Sequence, residues 1–141
     1  MKYRMSFWVL AMVFAIASCS NIKNNSDAVP KPGSVLESQE MPITEDSLNN
    51  SKFSVSIIAD SQIEKGIYAV TAIWGNNKAE SKFTMPKGGE SLKPLLRKAN
   101  KPNAFIIGFK AGKDTTFNEY FEVSGVKGTI KMFYTKSYSF D

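Results

Sequence analysis

Apolar and polar residues alternate through most of the second half of the chain. Phe53-Ser54-Val55-Ser56-Ile57 has a period of two, the signature of a strand with one buried face. Ile67–Trp74 is rich in β-branched and aromatic residues and stops at the turn cluster Gly75-Asn76-Asn77. Residues 78–85 then supply a hairpin partner, closed off by Pro86-Lys87-Gly88-Gly89. Residues 104–110 form a strongly apolar strand with Phe105, Ile107 and Phe109 on one side. Gly112-Lys113-Asp114 turns this strand into residues 115–123, where Phe117, Phe121 and Val123 share a face. After Ser124-Gly125, Thr129–Tyr134 alternates again, with Ile130, Met132 and Tyr134 aligned.

Short strands at such spacing, separated by turn signals, predict a mainly β fold: a single antiparallel β-sandwich of about 6–7 strands with at most one short helix. Residues 91–100 are where that helix would fall, with Ser91 as N-cap, Pro94 in the first turn and Asn100 at its end. An edge strand broken by the proline is the alternative. The balance favours an irregular or short helical crossover between the two sheets.

The first half reads differently. Met1-Lys2-Tyr3-Arg4 is basic, residues 7–17 are uncharged and apolar, and Ile16-Ala17-Ser18 precede Cys19, the only cysteine in the chain. The apolar run is too short to span a bilayer, which needs about 20 residues. An apolar residue at −3 and small residues at −2 and −1 resemble the lipobox of bacterial lipoproteins. The resemblance implies cleavage between Ser18 and Cys19 and acylation of Cys19, with the covalent lipid holding the protein in a leaflet. Residues 1–18 are thus the signal peptide and 19–50 the lipidated N-terminus with a disordered, flexible tether. Residues 51–141 are the sandwich domain. The tether assignment rests on composition, since 20–50 contains no aromatic residue, three prolines and many Ser and Asn. Its length would span about 30 Å as a coil and about 100 Å fully extended.

Charge divides along the same boundary. Residues 20–50 carry −3 and residues 51–141 carry +6, with +2 in the signal making up the net +5. Lys87, Lys93, Arg97, Lys98 and Lys101 cluster in sequence and, with Trp74, form the candidate partner-binding surface for an acidic protein, lipid or glycan. Nucleic acid is not an expected partner of an exported, lipid-anchored chain.

Catalytic chemistry finds few members to work with. The chain has no histidine, and its cysteine is committed to the lipid, so the common triads, dyads and zinc sites are not expected. Glu119 and Glu122, three apart, fall on opposite faces of a regular strand and would not share a substrate. Asp60 and Glu64 flank a turn. Ser124-Gly125-Val126-Lys127 matches S-x-x-K but lacks the supporting S-D-N and K-T-G elements of penicillin-binding proteins. No enzyme activity, metal or cofactor beyond the lipid is expected. Asp46-Ser47-Leu48 resembles the O-glycosylation acceptor of exported Bacteroidota proteins, which marks Ser47 as a modification candidate.

Lys87-Gly88-Gly89-Glu90-Ser91-Leu92, Ile106-Ile107-Gly108-Phe109-Lys110 and Thr135-Lys136-Ser137-Tyr138-Ser139-Phe140 make much of 66–140 similar to the small lipoproteins associated with type VI secretion in Bacteroidota. That resemblance implies a structural or assembly module docking onto a trans-envelope complex of other envelope proteins. The alternative is a carbohydrate- or peptide-binding lipoprotein, with Trp74, Tyr120, Tyr134 and Tyr138 as stacking platforms. Enterobacterial lipoproteins retained at the inner membrane carry an aspartate after the cysteine, so resemblance to that family, with Ser20 in that place, implies the outer membrane. Surface-exported lipoproteins of Bacteroidota carry acids close behind the cysteine, and their absence from Ser20 to Ser26 implies, on that resemblance, a domain facing the periplasm.

Overall fold

The computed structural model describes residues 28–46, 48–87 and 92–138. The candidate acylation and cleavage residues, Cys19 and Ser18, and the candidate acceptor Ser47 lie outside them. Eight antiparallel strands form two four-stranded sheets. The first sheet runs β1 (Val35–Pro42), β2 (Lys52–Ala59), β3 (Ile67–Trp74) and β4 (Asn77–Thr84) in sequence order. The second runs β5 (Leu95–Lys98), β6 (Ala104–Phe109), β7 (Asn118–Val126) and β8 (Thr129–Tyr134), also in sequence order. The only helical elements among the described residues are 3-10 turns at Thr44–Asp46 and Ile63–Lys65.

Six strands fall where alternation predicts them, and β3 and β8 match to the residue. Two depart from expectation. Residues 91–100 contain the edge strand β5 rather than a helical crossover. Residues 19–50, read as tether, contain β1, so the sheet begins at Val35 rather than after Asn50. The acids that gave this segment its negative charge, Glu37, Glu40, Glu45 and Asp46, belong to β1 and the turn after it.

Each sheet presents its apolar stripe to the other, as the period of two requires. Phe53, Val55, Ile57, Val70, Ala72 and Phe83 face Leu96, Phe105, Ile107, Phe109, Phe121 and Val123 across the core. Rings interlock between sheets, Phe53 with Phe105 at 5.5 Å between centroids and Phe83 with Phe121 at 5.4 Å. At one end of the sandwich Trp74 packs so closely on β7 that a Cβ at Gly125 would overlap its ring. At the other, Met85 and Leu92 from the connection between sheets are buried in the core. The β7–β8 hairpin closes on Lys127 and Gly128 at φ 46° and 79°, the left-handed pair of a two-residue turn.

Both edges at which the sheets meet are fastened by side chains acting in place of a strand. On one side, the Leu96 N–H donates to Glu37 Oε2 at 2.9 Å, and Gln39 Nε2 donates to the Leu96 carbonyl at 2.7 Å. On the other, the Thr84 N–H donates to the Tyr134 hydroxyl at 3.0 Å, and the Tyr120 hydroxyl donates to the Thr84 carbonyl at 2.7 Å. Backbone groups that an edge strand would leave open are thereby satisfied from the opposite sheet.

Asp60, buried in the turn after β2, is held by Lys82 Nζ at 2.8 Å and by the Gln62 N–H at 2.9 Å. The Lys82 hydrogen bond, followed by that from Gln62, holds its carboxyl below the ordinary 3.8.

Two outcomes test this architecture. Glu37→Ala and Gln39→Ala should each lower unfolding free energy by about 1–2 kcal/mol in urea titrations. Together they should cost less than their sum, because both serve one residue. A folded-state carboxyl pKa below the unfolded value adds stability that is present above pH 3.8 and is lost as pH falls through the folded value. The gap in urea midpoint between wild type and Asp60→Asn should therefore narrow as pH drops below 3.8.

Candidate functional site

The outward face of the second sheet carries a row that crosses all four strands. Register aligns Arg97 with Ile106, Ile106 with Glu122, and Glu122 with Phe133. Ile106 is buried as the floor of this row, whereas Phe133 remains 44% exposed. One step along the sheet, Gly108 leaves space that the Phe117 ring fills; a Cβ there would overlap that ring and the Asn118 carbonyl. Arg97 lies over the same ring, its guanidinium carbon 4.2 Å from the centroid. Stacking in this way covers the flat face of the cation and leaves its N–H edge free to pair with a carboxylate or phosphate.

A bulge sets the rest of the site. The ladder between β6 and β7 shifts at Ile107/Gly108, so that Phe121 pairs with Ile107 and Glu119 with Gly108, leaving Tyr120 as the extra residue. The expectation that Glu119 and Glu122 stand on opposite faces assumed a regular strand. With one residue inserted, both line the same open depression of about 470 Å³, together with Arg97, Lys98 and Lys101. Phe117 is likewise carried out of the core stripe that sequence alternation assigned to it, onto the outer face.

Glu122 is the most constrained charge of the site. It is 6% exposed, and among the described residues its Oε1 meets only the Lys101 ammonium, 2.5 Å away. Lys101 is itself half exposed, so the pair is a charge drawn down to the sheet by a lysine that reaches in from solvent. Glu119 is exposed, and Tyr138 donates to its backbone carbonyl at 2.8 Å.

The basic residues that cluster in sequence do not form one patch. Arg97, Lys98 and Lys101 border the depression, while Lys87 and Lys93 lie at the two sides of the connection from β4 to β5, at the opposite end of the sandwich from Lys101. Trp74, expected on the partner surface, is 8% exposed and packs against Phe53 at 5.3 Å between centroids. Of the tyrosines expected as stacking platforms, Tyr120 and Tyr138 pack against the core, whereas Tyr134 stays 49% exposed. Tyr120 meets Phe109, Tyr134 and Tyr138 ring to ring, and its hydroxyl pKa is raised by burial and by Tyr134. Among the described residues no group of three or more His, Cys, Asp or Glu is placed to hold a metal ion.

Lys101→Met should destabilise the domain by about 1–3 kcal/mol, the cost of leaving a buried carboxylate without its cation. Adding Glu122→Met should recover most of that loss. A urea double-mutant cycle reads both, and additivity of the two changes would contradict the pairing.

Comparison with protein-family models, curated proteins and solved structures gave no match for this chain.

Proposed function

We propose that the protein is a lipid-anchored structural or assembly module of the bacterial envelope. Cys19 carries the acyl chains, and the outer face of the second sheet docks an acidic element of a larger trans-envelope complex. The Arg97 guanidinium held over Phe117 supports this reading most directly. A stacked, pre-oriented cation beside an apolar floor suits recognition of a carboxylate on a protein surface, because little side-chain freedom remains to be lost on binding. Phe133 extends the apolar contact across the sheet, and Lys98 adds a second cation at the rim.

The resemblance of the signal region to a lipobox supports anchoring. The similarity of 66–140 to the lipoproteins of type VI secretion supports a trans-envelope complex as the partner, at the outer membrane and from the periplasmic side. A glycan- or peptide-binding module is the alternative. Inward engagement of Trp74, Tyr120 and Tyr138 gives it fewer open ring faces than the sequence suggests, with Phe133 and Tyr134 the exposed aromatic rings.

Crosslinking and affinity capture from the native envelope test the reading. Wild type should recover a defined set of envelope proteins, and Arg97→Glu with Lys98→Glu should lose them by about tenfold or more while keeping the wild-type urea midpoint. Cys19→Ala should release the chain from the membrane fraction and abolish palmitate incorporation. Recovery of the protein alone, with retention on a polysaccharide column, would replace the assembly role by the glycan-binding one.

A further inference from the structure

The two ends of the sandwich differ in charge, and the chain leaves toward the lipid anchor from the basic one. Antiparallel order places the start of β1, the turn 60–66, both flanks of the β4–β5 connection, the loop 110–117 and residues 135–138 at the same end. These segments carry Lys31, Lys65, Lys87, Lys93, Lys110, Lys113 and Lys136, all exposed and none in an ion pair among the described residues. The described carboxylates at this end are few. Asp60 is committed to Lys82, and Asp114 accepts the Thr116 N–H at 2.9 Å, which leaves Glu64 as the unengaged acid. At the opposite end the loops set Glu45 and Asp46 against Lys101 and Lys127 and so carry no net charge, with Lys98 and Lys131 on the adjoining strands; Asp46 takes hydrogen bonds from Asn49 and Ser51 there.

The linker is also shorter and less acidic than composition suggested. With β1 beginning at Val35, 15 residues separate it from Cys19, and they carry Lys23 and Lys31 against Asp27. Such a segment reaches about 50 Å at full extension and about 20 Å as a coil. Each long strand covers about 26 Å from end to end. The tether therefore holds the lysine-bearing end, rather than the far end, nearest the bilayer. A basic surface adjacent to the acylated cysteine supplies a second attraction, which acts only within a Debye length of the headgroups.

We infer that this end of the sandwich is a second membrane contact, seated on anionic phospholipid headgroups beside the Cys19 anchor. The inference rests on the reading that Cys19 is acylated. It turns the domain so that the strands stand up from the bilayer and the Arg97 depression faces sideways, open to a partner in the periplasm. Lysines rather than arginines suit such a contact, because a mobile ammonium interacts with a diffuse anionic surface without a fixed geometry.

Site-resolved amine labelling tests the contact on the full chain reconstituted in phosphatidylcholine vesicles, with and without phosphatidylglycerol. Phosphatidylglycerol should slow labelling of Lys65, Lys110, Lys113 and Lys136 by about fivefold, and high salt should reverse the effect. Lys52, Lys127 and Lys131 should stay unchanged. Replacing Lys110, Lys113 and Lys136 by Glu should remove the protection of Lys65 while leaving the urea midpoint as in wild type. Equal labelling at both ends in phosphatidylglycerol vesicles would overturn the inference. The intact mass of the same sample reports acylation separately. An acylated chain without protection removes the contact alone, and an unacylated chain whose lysines are still protected removes the anchor alone.

Discussion

Two residues, Thr84 and Leu96, hold the sandwich together at its margins. Each sheet of this protein is a plain meander whose strands pair only with sequence neighbours, and one connection, from β4 to β5, joins the two. Ladder hydrogen bonds therefore never cross between sheets, and the apolar core is non-directional. Orientation of one sheet on the other comes from Glu37 and Gln39 on the Leu96 backbone, from Tyr134 and Tyr120 on that of Thr84, and, at the other end, from Asn77 Nδ2, which donates to the Gly128 carbonyl at 3.0 Å. Thr84 and Leu96 flank the connection, so fastening them also fixes where it crosses the end of the core. Open edges are the usual route by which sheets add unwanted partners. Here the edges are partly closed by side chains, and recognition is left to faces and ends.

That division gives the molecule three separate surfaces. One face bears the Arg97–Phe117 stack and the Lys101–Glu122 pair. One end, where β1 begins, gathers lysines that make no ion pair among the described residues. The outer face of the first sheet is mixed, with Ser38 and Ser56 hydrogen-bonded across β1 and β2 at 2.8 Å beside Ile58 and the exposed Leu36 and Ile73. In the lipid-anchored assembly module proposed above, attachment and partner contact would operate together. Placing them on an end and a face keeps each accessible while the other is engaged.

Much of the fold was legible because the inner strands obey the simple rule of alternation. β2, β3 and β6 carry apolar residues at every second position and have a neighbour on each edge, and the edge strand β8 alternates in the same way. β1 was hidden because the positions it turns toward the other sheet include Glu37 and Gln39, which alternation scores as solvent-facing. Their partners are backbone groups of a strand 57 to 59 residues away, which no local pattern contains. β5 was obscured by its shortness and by Pro94 immediately before it. The site was less legible than the fold. Neither the bulge that brings Glu119 and Glu122 to one depression nor the split of the basic cluster between an end and a face follows from spacing. Gly108 was the available signal: a glycine inside an apolar strand marks close approach, and Phe117 occupies the space it leaves.

The account stands on the two fastened edges, and hydrogen exchange measures them residue by residue. If Glu37 and Tyr134 act as strand partners, the Leu96 and Thr84 amides will exchange within about tenfold of the amides of β2 and β6, as members of one cooperative unit. Exchange of those two amides at the rate of an unprotected strand edge, with the inner strands still slow, would show that the side chains do not fasten these edges and contradict the account.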